Sequence, residues 1–158
     1  MKKAVIFYSR DGHTKEVALY ISRFFQCDIA ELKDRKNRKG IVGSVSAGID
    51  AMLKKGTSID SPDIDISGYD VLFVGTPVWG WSLAPAVRAF MSDNDLSGKK
   101  ICIFCTMEST GADRTFGQMK GLIRSPEIIG AISFMAKDVD GGGYKMRLDD
   151  LLQGLRLA

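Results

Sequence analysis

Five short apolar segments alternate along the chain with segments whose apolar residues recur at helical spacing, and this alternation constrains the fold most. Near-continuous apolar strands separated by helices are typical of a parallel sheet that is covered on both faces. Right-handed crossovers between such strands make the sheet doubly wound. We therefore predict a single α/β domain over residues 1–158. Its five strands are expected at Lys3–Tyr8, Asp28–Leu32, Tyr69–Thr76, Lys100–Thr106 and Ile128–Ala136.

Helices are expected between these strands. The helical periodicity predicts helices over Thr14–Phe25 and Asp113–Ile123, a third helix beginning near Pro85, and a last one lined by Leu148 and Leu152. A weaker, glycine-containing pattern between the second and third strands also suggests a helix. Its apolar positions are Ile41, Val45, Ile49, Met52 and Leu53.

Composition bounds the class of protein. Hydrophobic residues make up 45% and charged residues 26% of 158 residues, which is the composition of a folded domain. No apolar run reaches the roughly 20 residues that span a bilayer. Neither a signal peptide nor a disulfide framework is recognisable, so a cytoplasmic protein is the expectation. The net charge of +3 comes largely from the basic run at 33–39, which without interleaved aromatics predicts a solvated loop or an acidic partner rather than nucleic-acid binding.

Two of the three cysteines form a C-x-x-C motif, Cys102 and Cys105. They fall within a predicted strand, where residues three apart point to opposite faces of the sheet. A redox pair of the thioredoxin type would instead open a helix, and a zinc site would need a second pair of ligands. We interpret both as buried strand cysteines.

Ligands of doubly wound sheets bind beyond the carboxyl ends of the strands, so the loops there are the candidate site. The first loop, Ser9–Thr14, joins a strand to a helix N-terminus, offering backbone N–H groups, two hydroxyls and a glycine to an anion such as phosphate. A plain helix cap is the alternative. Neither a Walker A loop nor a G-x-G-x-x-G motif is present.

The second and third loops would complete the site. Gly75–Val87 contains Trp79 and Trp81, which suit a flat ring system or else close the edge of the core. Thr106–Phe116 is small, polar and glycine-bearing, suited to backbone hydrogen bonds with a ligand or to an ordinary turn. Together the three loops predict a site for a phosphorylated, flat cofactor.

At these loops the sequence resembles the flavodoxin family, from Lys3 to the last helix. The loop SRDGHT is similar to the family's hydroxyl-rich phosphate loop, and YDVLFVGTPVWGWSLAPAVRAFM to its third strand and following ring-contact loop. The resemblance implies a short-chain, flavodoxin-like fold with strand order 2-1-3-4-5 and FMN as cofactor. Trp79 is the candidate ring contact. The residues implied to bind FMN are Ser9, Arg10, Asp11, Gly12, His13, Thr14, Thr76, Pro77, Val78, Trp79, Gly80, Thr106, Met107, Glu108 and Gly111.

Two features depart from the family pattern. Asp11 stands where the family usually has threonine, and we expect it to accept from backbone N–H groups while Arg10 or His13 offsets its charge. Flavodoxins are strongly acidic around the flavin, whereas this chain is net basic, so docking on their usual partners is not expected.

The resemblance implies electron transfer to a redox partner protein or a small electron acceptor, by a monomer or homodimer, with no catalytic side chain. One alternative is an NAD(P)H-dependent quinone or flavin reductase of the same fold, in which the loop at 140–144 closes over substrate. Another is a binding module for a phosphorylated ligand with no redox role. A phosphoacceptor signalling domain is disfavoured because Thr76 occupies the position of the required aspartate.

A substitution in the first loop tests whether it binds phosphate. Thr14→Val is expected to weaken FMN binding because it removes a hydroxyl at the helix N-terminus. The measurement is a fluorescence titration with FMN. Unchanged affinity would show that the loop only caps the helix.

Overall fold

The computed structural model describes residues 1–34, 59, 62, 64–124 and 127–156. Its strands are β1 (Lys3–Phe7), β2 (Asp28–Glu31), β3 (Val71–Trp79), β4 (Ser82–Leu83), β5 (Lys100–Met107) and β6 (Glu127–Met135). Its α-helices are α1 (His13–Phe25), α2 (Pro85–Asp93), α3 (Ala112–Gly121), α4 (Ala136–Asp140) and α5 (Tyr144–Arg156), and a short 3-10 helix covers Ile66–Gly68.

The strands β2, β1, β3, β5 and β6 form a parallel sheet in that order. This confirms the predicted five-stranded sheet and its order 2-1-3-4-5, because β4 is a two-residue strand that pairs only with β3. The order reverses between β1 and β3, so the loops that follow these two strands leave the same edge of the sheet in opposite directions.

Helices cover both faces of the sheet. On one face, Val17 and Ile21 of α1 and Leu148 and Leu152 of α5 pack against the sheet. On the other face, α2 and α3 pack against the alternate residues of the same strands. The consequence is two core layers with β1, β3 and β5 buried between them, which explains why these strands are apolar without alternation.

The third strand is longer than predicted. We expected it to end at Thr76 and a loop to follow, but β3 continues to Trp79 and pairs with β4 as an antiparallel hairpin. Gly80 and Trp81 form the two-residue turn with φ of 54° and 57°. Positive φ at both central residues is the mark of a type I′ turn, whose twist matches that of the flanking strands. Proline in the sequence suggested a loop, yet Pro77 is tolerated near the strand end.

Other boundaries differ by smaller amounts. The first strand ends at Phe7, the helix α3 covers Ala112–Gly121, and the last strand ends at Met135. Ala136, predicted as strand, begins the short helix α4, which the sequence analysis did not predict. The predicted helix around Ile41–Leu53 lies outside the described residues. Among the described residues, no helix combines the length and apolar character needed to cross a membrane.

Candidate functional site

The three predicted loops meet at the carboxyl edge of the sheet, and each is in contact with the other two. Thr14 Oγ1 lies 2.7 Å from Thr106 Oγ1, which joins the first loop to the end of β5. The Arg10 guanidinium lies over the Trp79 ring, 5.0 Å from its centroid, which joins the first loop to the hairpin. Gly111 lies against Trp81, which joins the hairpin to the third loop.

The first loop is organised by Ser9. Its Oγ accepts hydrogen bonds from the N–H groups of Gly12 and Lys15, at 3.2 and 3.3 Å. Gly12 has φ of 100° and precedes the first residue of α1, so the chain enters the helix through a left-handed residue. We had expected Asp11 to accept from the backbone. That expectation is wrong, because Ser9 does so.

Asp11 is instead paired with its neighbour Arg10. The guanidinium approaches both carboxylate oxygens, with Nη2 at 2.9 Å from Oδ2 and Nε at 3.1 Å from Oδ1. This forked geometry is the strong form of an arginine–carboxylate contact. The prediction that Arg10 offsets the charge of Asp11 is therefore confirmed. The pair brings no net charge to the loop.

Two backbone donors remain at the start of α1. Within the described part of the chain, the N–H groups of His13 and Thr14 make no hydrogen bond. Unpaired N–H groups at a helix N-terminus carry a partial positive charge and attract anions. The Thr14 side chain is buried and its hydroxyl is directed to Thr106, so Thr14→Val would also remove this bond between loops.

The two tryptophans have opposite environments. Trp79 is 8% exposed and belongs to the core, with an edge-to-face contact to Tyr8 at 5.5 Å between ring centroids. Trp81 is 51% exposed and stands at the tip of the hairpin. The exposed indole at this edge is thus Trp81, whereas the resemblance implied Trp79 as the ring contact. Trp79 is the last residue of β3 and faces the core, whereas Trp81 lies in the turn after Gly80. This difference follows from the register of the hairpin, which the sequence does not show.

Other predicted residues of the second loop serve the hairpin. Thr76 is fully buried, and its hydroxyl accepts from the Ala84 N–H at the start of α2 at 2.9 Å. Pro77 and Val78 are half-buried strand residues, and Gly80 lies in the turn. The Thr76 side chain therefore holds α2 to the sheet.

The third loop begins at the end of β5. Thr106 is buried, Met107 is half-buried, and Glu108 is exposed. Gly111 has φ of 112° and caps α3. A Cβ added there would lie 3.1 Å from both Cα and Cδ1 of Trp81, so only glycine allows the hairpin to approach this closely.

A cleft of about 540 Å³ adjoins the first loop on its other side. His13 Nε2 lies 3.0 Å from Asp140 Oδ1, which brings the glycine-rich turn after α4 against the start of α1. The wall is mixed in charge, with carboxylates of Asp11, Glu16 and Asp140 facing His13 and Lys145. Tyr144 donates a hydrogen bond to Glu16 at 3.0 Å, and burial together with this bond raises the Tyr144 pKa.

The C-x-x-C motif lies in the sheet interior, as predicted. Burial raises the pKa of Cys102 to about 12, and burial together with the charge of Asp113 does the same for Cys105. All three cysteines are free thiols. Among the described residues, no group of three or more histidine, cysteine or acidic side chains is arranged to hold a metal ion.

The family assignment follows from a comparison with family models. The model described as Flavodoxin matches residues 2–131. The chain belongs to the flavodoxin family. No curated protein matches this flavodoxin-family chain.

Solved structures show the same fold. A flavoprotein from Lactobacillus acidophilus NCFM, solved in complex with FMN, is 20% identical with a TM-score of 0.73, and the match covers 89% of this chain and 97% of that one. The apo-form of the flavoprotein from that organism matches at 22% identity and a TM-score of 0.58, over 89% and 96% of the two chains. Oxidised Flavodoxin 2 from Bacillus cereus is 18% identical with a TM-score of 0.51, over 89% and 91%.

The buried thiols give a prediction about reactivity. Because only the thiolate reacts, and pKa values of about 12 leave almost none at pH 8, Cys102 and Cys105 should resist iodoacetamide in the folded protein. Mass spectrometry of tryptic peptides measures this, with the same reaction in urea as the control. Native-state alkylation of either residue, or a disulfide between them after mild oxidation, would contradict the interpretation.

Proposed function

We propose that this protein binds FMN at the carboxyl edge of the sheet, where the three loops meet. In this proposal it acts in the cytoplasm and carries electrons between a redox partner protein and a second partner or small acceptor. The observation that carries the proposal is the convergence there of a free helix N-terminus, an exposed indole and a polar, glycine-capped loop. These are the parts that a phosphorylated ring system requires. Family membership and the FMN complex of the Lactobacillus acidophilus flavoprotein support it.

The phosphate is proposed to bind at the start of α1. The N–H groups of His13 and Thr14 have no other partner in the described part of the chain, and Gly12 presents no side chain. Arg10 is engaged by Asp11, so the attraction comes mainly from backbone dipoles. A dianion beside the Asp11 carboxylate is held less tightly than it would be beside a neutral residue.

The ring is proposed to lie against Trp81. Trp81 is the exposed indole at this edge, whereas the Trp79 ring is occupied by Tyr8 on one side and Arg10 on another. Trp79 then acts as the support beneath the site. The backbone from Thr106 to Gly111 is proposed to contact the polar edge of the ring.

The redox chemistry belongs to the flavin, which supplies one- and two-electron transfer when bound. The chain supplies binding, orientation and exclusion of water, and we assign no catalytic side chain. The net charge of +3 favours partners with acidic docking surfaces. Whether the carrier acts as a monomer or a homodimer affects neither role, since one chain provides all three loops.

The alternative is an NAD(P)H-dependent quinone or flavin reductase that uses the cleft beside His13. The cleft has the size of a ligand site, about 540 Å³. Its wall, however, carries the carboxylates of Asp11, Glu16 and Asp140 against His13 and Lys145. Arg10 neutralises Asp11, but the carboxylates of Glu16 and Asp140 still outnumber the one lysine of the wall, Lys145. The wall therefore disfavours the phosphates of a nicotinamide dinucleotide, which favours the carrier. Steady NADPH turnover with a quinone, without a protein partner, would support the reductase.

Titration with FMN tests the function. Added FMN is expected to shift its near-ultraviolet and blue absorption bands and to quench tryptophan fluorescence. Trp81→Ala should weaken FMN binding about tenfold, since stacking is worth about 0.5–1.5 kcal/mol beyond burial. Met146→Ala removes another exposed large side chain, on α5, and is the matched control. The absence of both the band shift and the quenching at excess FMN would refute the proposal.

Asp11→Asn tests the proposed phosphate position. Removing the carboxylate ends its repulsion of the phosphate, so FMN should bind about threefold more tightly at low salt, in line with charge effects at helix ends. Riboflavin, which lacks the phosphate, is the matched ligand and its affinity should not change. If Asp11→Asn changed the affinities for FMN and riboflavin equally, the phosphate would not bind beside Asp11.

A further inference from the structure

A buried arginine is hydrogen-bonded to Ser82, the residue that follows the exposed tryptophan. Arg88 on α2 is 9% exposed, and burial lowers its pKa. Its Nη2 donates to Ser82 Oγ at 3.0 Å and to Gln118 Oε1 at 2.8 Å, and Nε has no partner within the described part of the chain. Both acceptors are neutral. Burying a cation that has no paired carboxylate among the described residues costs folding free energy, and the arrangement therefore needs a reason in the fold.

The hydrogen bonds in this cluster have one consistent set of proton positions. Nη2 carries two protons and gives one to each acceptor, while the Ser82 hydroxyl donates its own proton to Gln118 Oε1. The Gln118 amide cannot be reversed, because its NH2 group would then lie against Arg88 Nη2, which can only donate. The cluster of Ser82, Arg88 and Gln118 therefore has a single arrangement, which we call the Arg88 cluster.

The Arg88 cluster joins three elements around the site. Ser82 belongs to β4, Arg88 to α2 and Gln118 to α3. Ser82 directly follows Trp81 in the chain, and Gly111, the residue that caps α3, lies against Trp81. The cluster thus joins the hairpin to the helix whose capping residue contacts the exposed indole.

The hairpin needs such support. β4 has two residues, and the pairing with β3 has two registered pairs, Val78 with Leu83 and Trp79 with Ser82. Trp81 has φ of 57°, a left-handed conformation that is unfavourable for a bulky residue. Strained residues persist where the surroundings over-determine them. The hydrogen bond from Arg88 to Ser82, the residue after Trp81, contributes this constraint.

We propose that Arg88 is a positioning residue of the FMN site: its buried guanidinium locks the β3–β4 turn onto α3 and so holds the Trp81 indole where the flavin ring binds. The role of the indole rests on the proposed function. The locking itself is a property of the protein without ligand, and it is tested separately.

The test observes Trp81 directly. The chain has two tryptophans, so protein labelled with 5-fluorotryptophan should give two fluorine resonances, which Trp81→Phe assigns. The buried Trp79 serves as the internal reference. In the protein without FMN, Arg88→Met should shift the Trp81 resonance and increase its broadening by a soluble gadolinium chelate. The Trp79 resonance should stay in place.

Matched variants separate positioning from packing. Gln118→Glu keeps an acceptor for Arg88 and Ser82 and should leave the Trp81 resonance near its original position, whereas Gln118→Met should reproduce the effect of Arg88→Met. Lys120→Met removes an exposed cation from the same helix and should change neither resonance. If Arg88→Met does not fold, the comparison of the two Gln118 variants decides the question alone.

Binding kinetics supply the second readout. FMN should dissociate about tenfold faster from Arg88→Met and from Gln118→Met, a loss of about 1.4 kcal/mol, and at an unchanged rate from Lys120→Met. An unmoved Trp81 resonance in folded Arg88→Met would overturn the proposal. So would equal changes at both tryptophans, which indicate general loosening. If FMN does not bind the unmodified protein, the proposed function fails, while the fluorine spectra still decide whether Arg88 locks the turn.

Discussion

The parallel pairing of β1, β3 and β5 is the constraint on which the site depends. Phe7 pairs with Gly75, and Pro77 pairs with Thr106, so the three strands end within a few residues of one another at one edge. Chain segments far apart in sequence are thereby brought into contact. The hydrogen bond between Thr14 and Thr106 joins residues 92 positions apart and is possible only in this register.

Polar and charged side chains at this edge largely contact one another in pairs. Arg10 binds Asp11, and His13 lies against Asp140. Under the proposed function, the phosphate binds the backbone at the start of α1, where N–H groups and the helix dipole act together. This differs from a site that binds phosphate through free cationic side chains. Because backbone dipoles are fixed in place, selectivity then depends on how closely the loop allows a ligand to approach.

The exposed indole and its support illustrate how a strained residue is maintained. Trp81 has a backbone conformation that costs energy locally, and contacts from outside the hairpin offset that cost. Gly111 leaves room for it, and the Arg88 cluster ties its neighbour Ser82 to two helices. Burying an arginine against neutral acceptors is itself unfavourable, so rigidity at the turn is obtained at the expense of stability elsewhere.

The sequence by itself determined the parallel sheet, the order of its five strands along the chain and the three loops at its carboxyl edge, because hydrophobic periodicity and glycine-containing turns are local signals that survive without tertiary contacts. Only the tertiary structure decided that β3 extends into a hairpin, that Trp81 rather than Trp79 is exposed, and that Ser9 rather than Asp11 accepts the loop N–H groups. Each of these outcomes depends on which of several strands, side chains or acceptors a residue contacts in the folded chain. The close approach of Gly111 to Trp81 and the burial of Arg88 against Gln118 join residues about 30 positions apart, and no local pattern encodes which of several partners is reached.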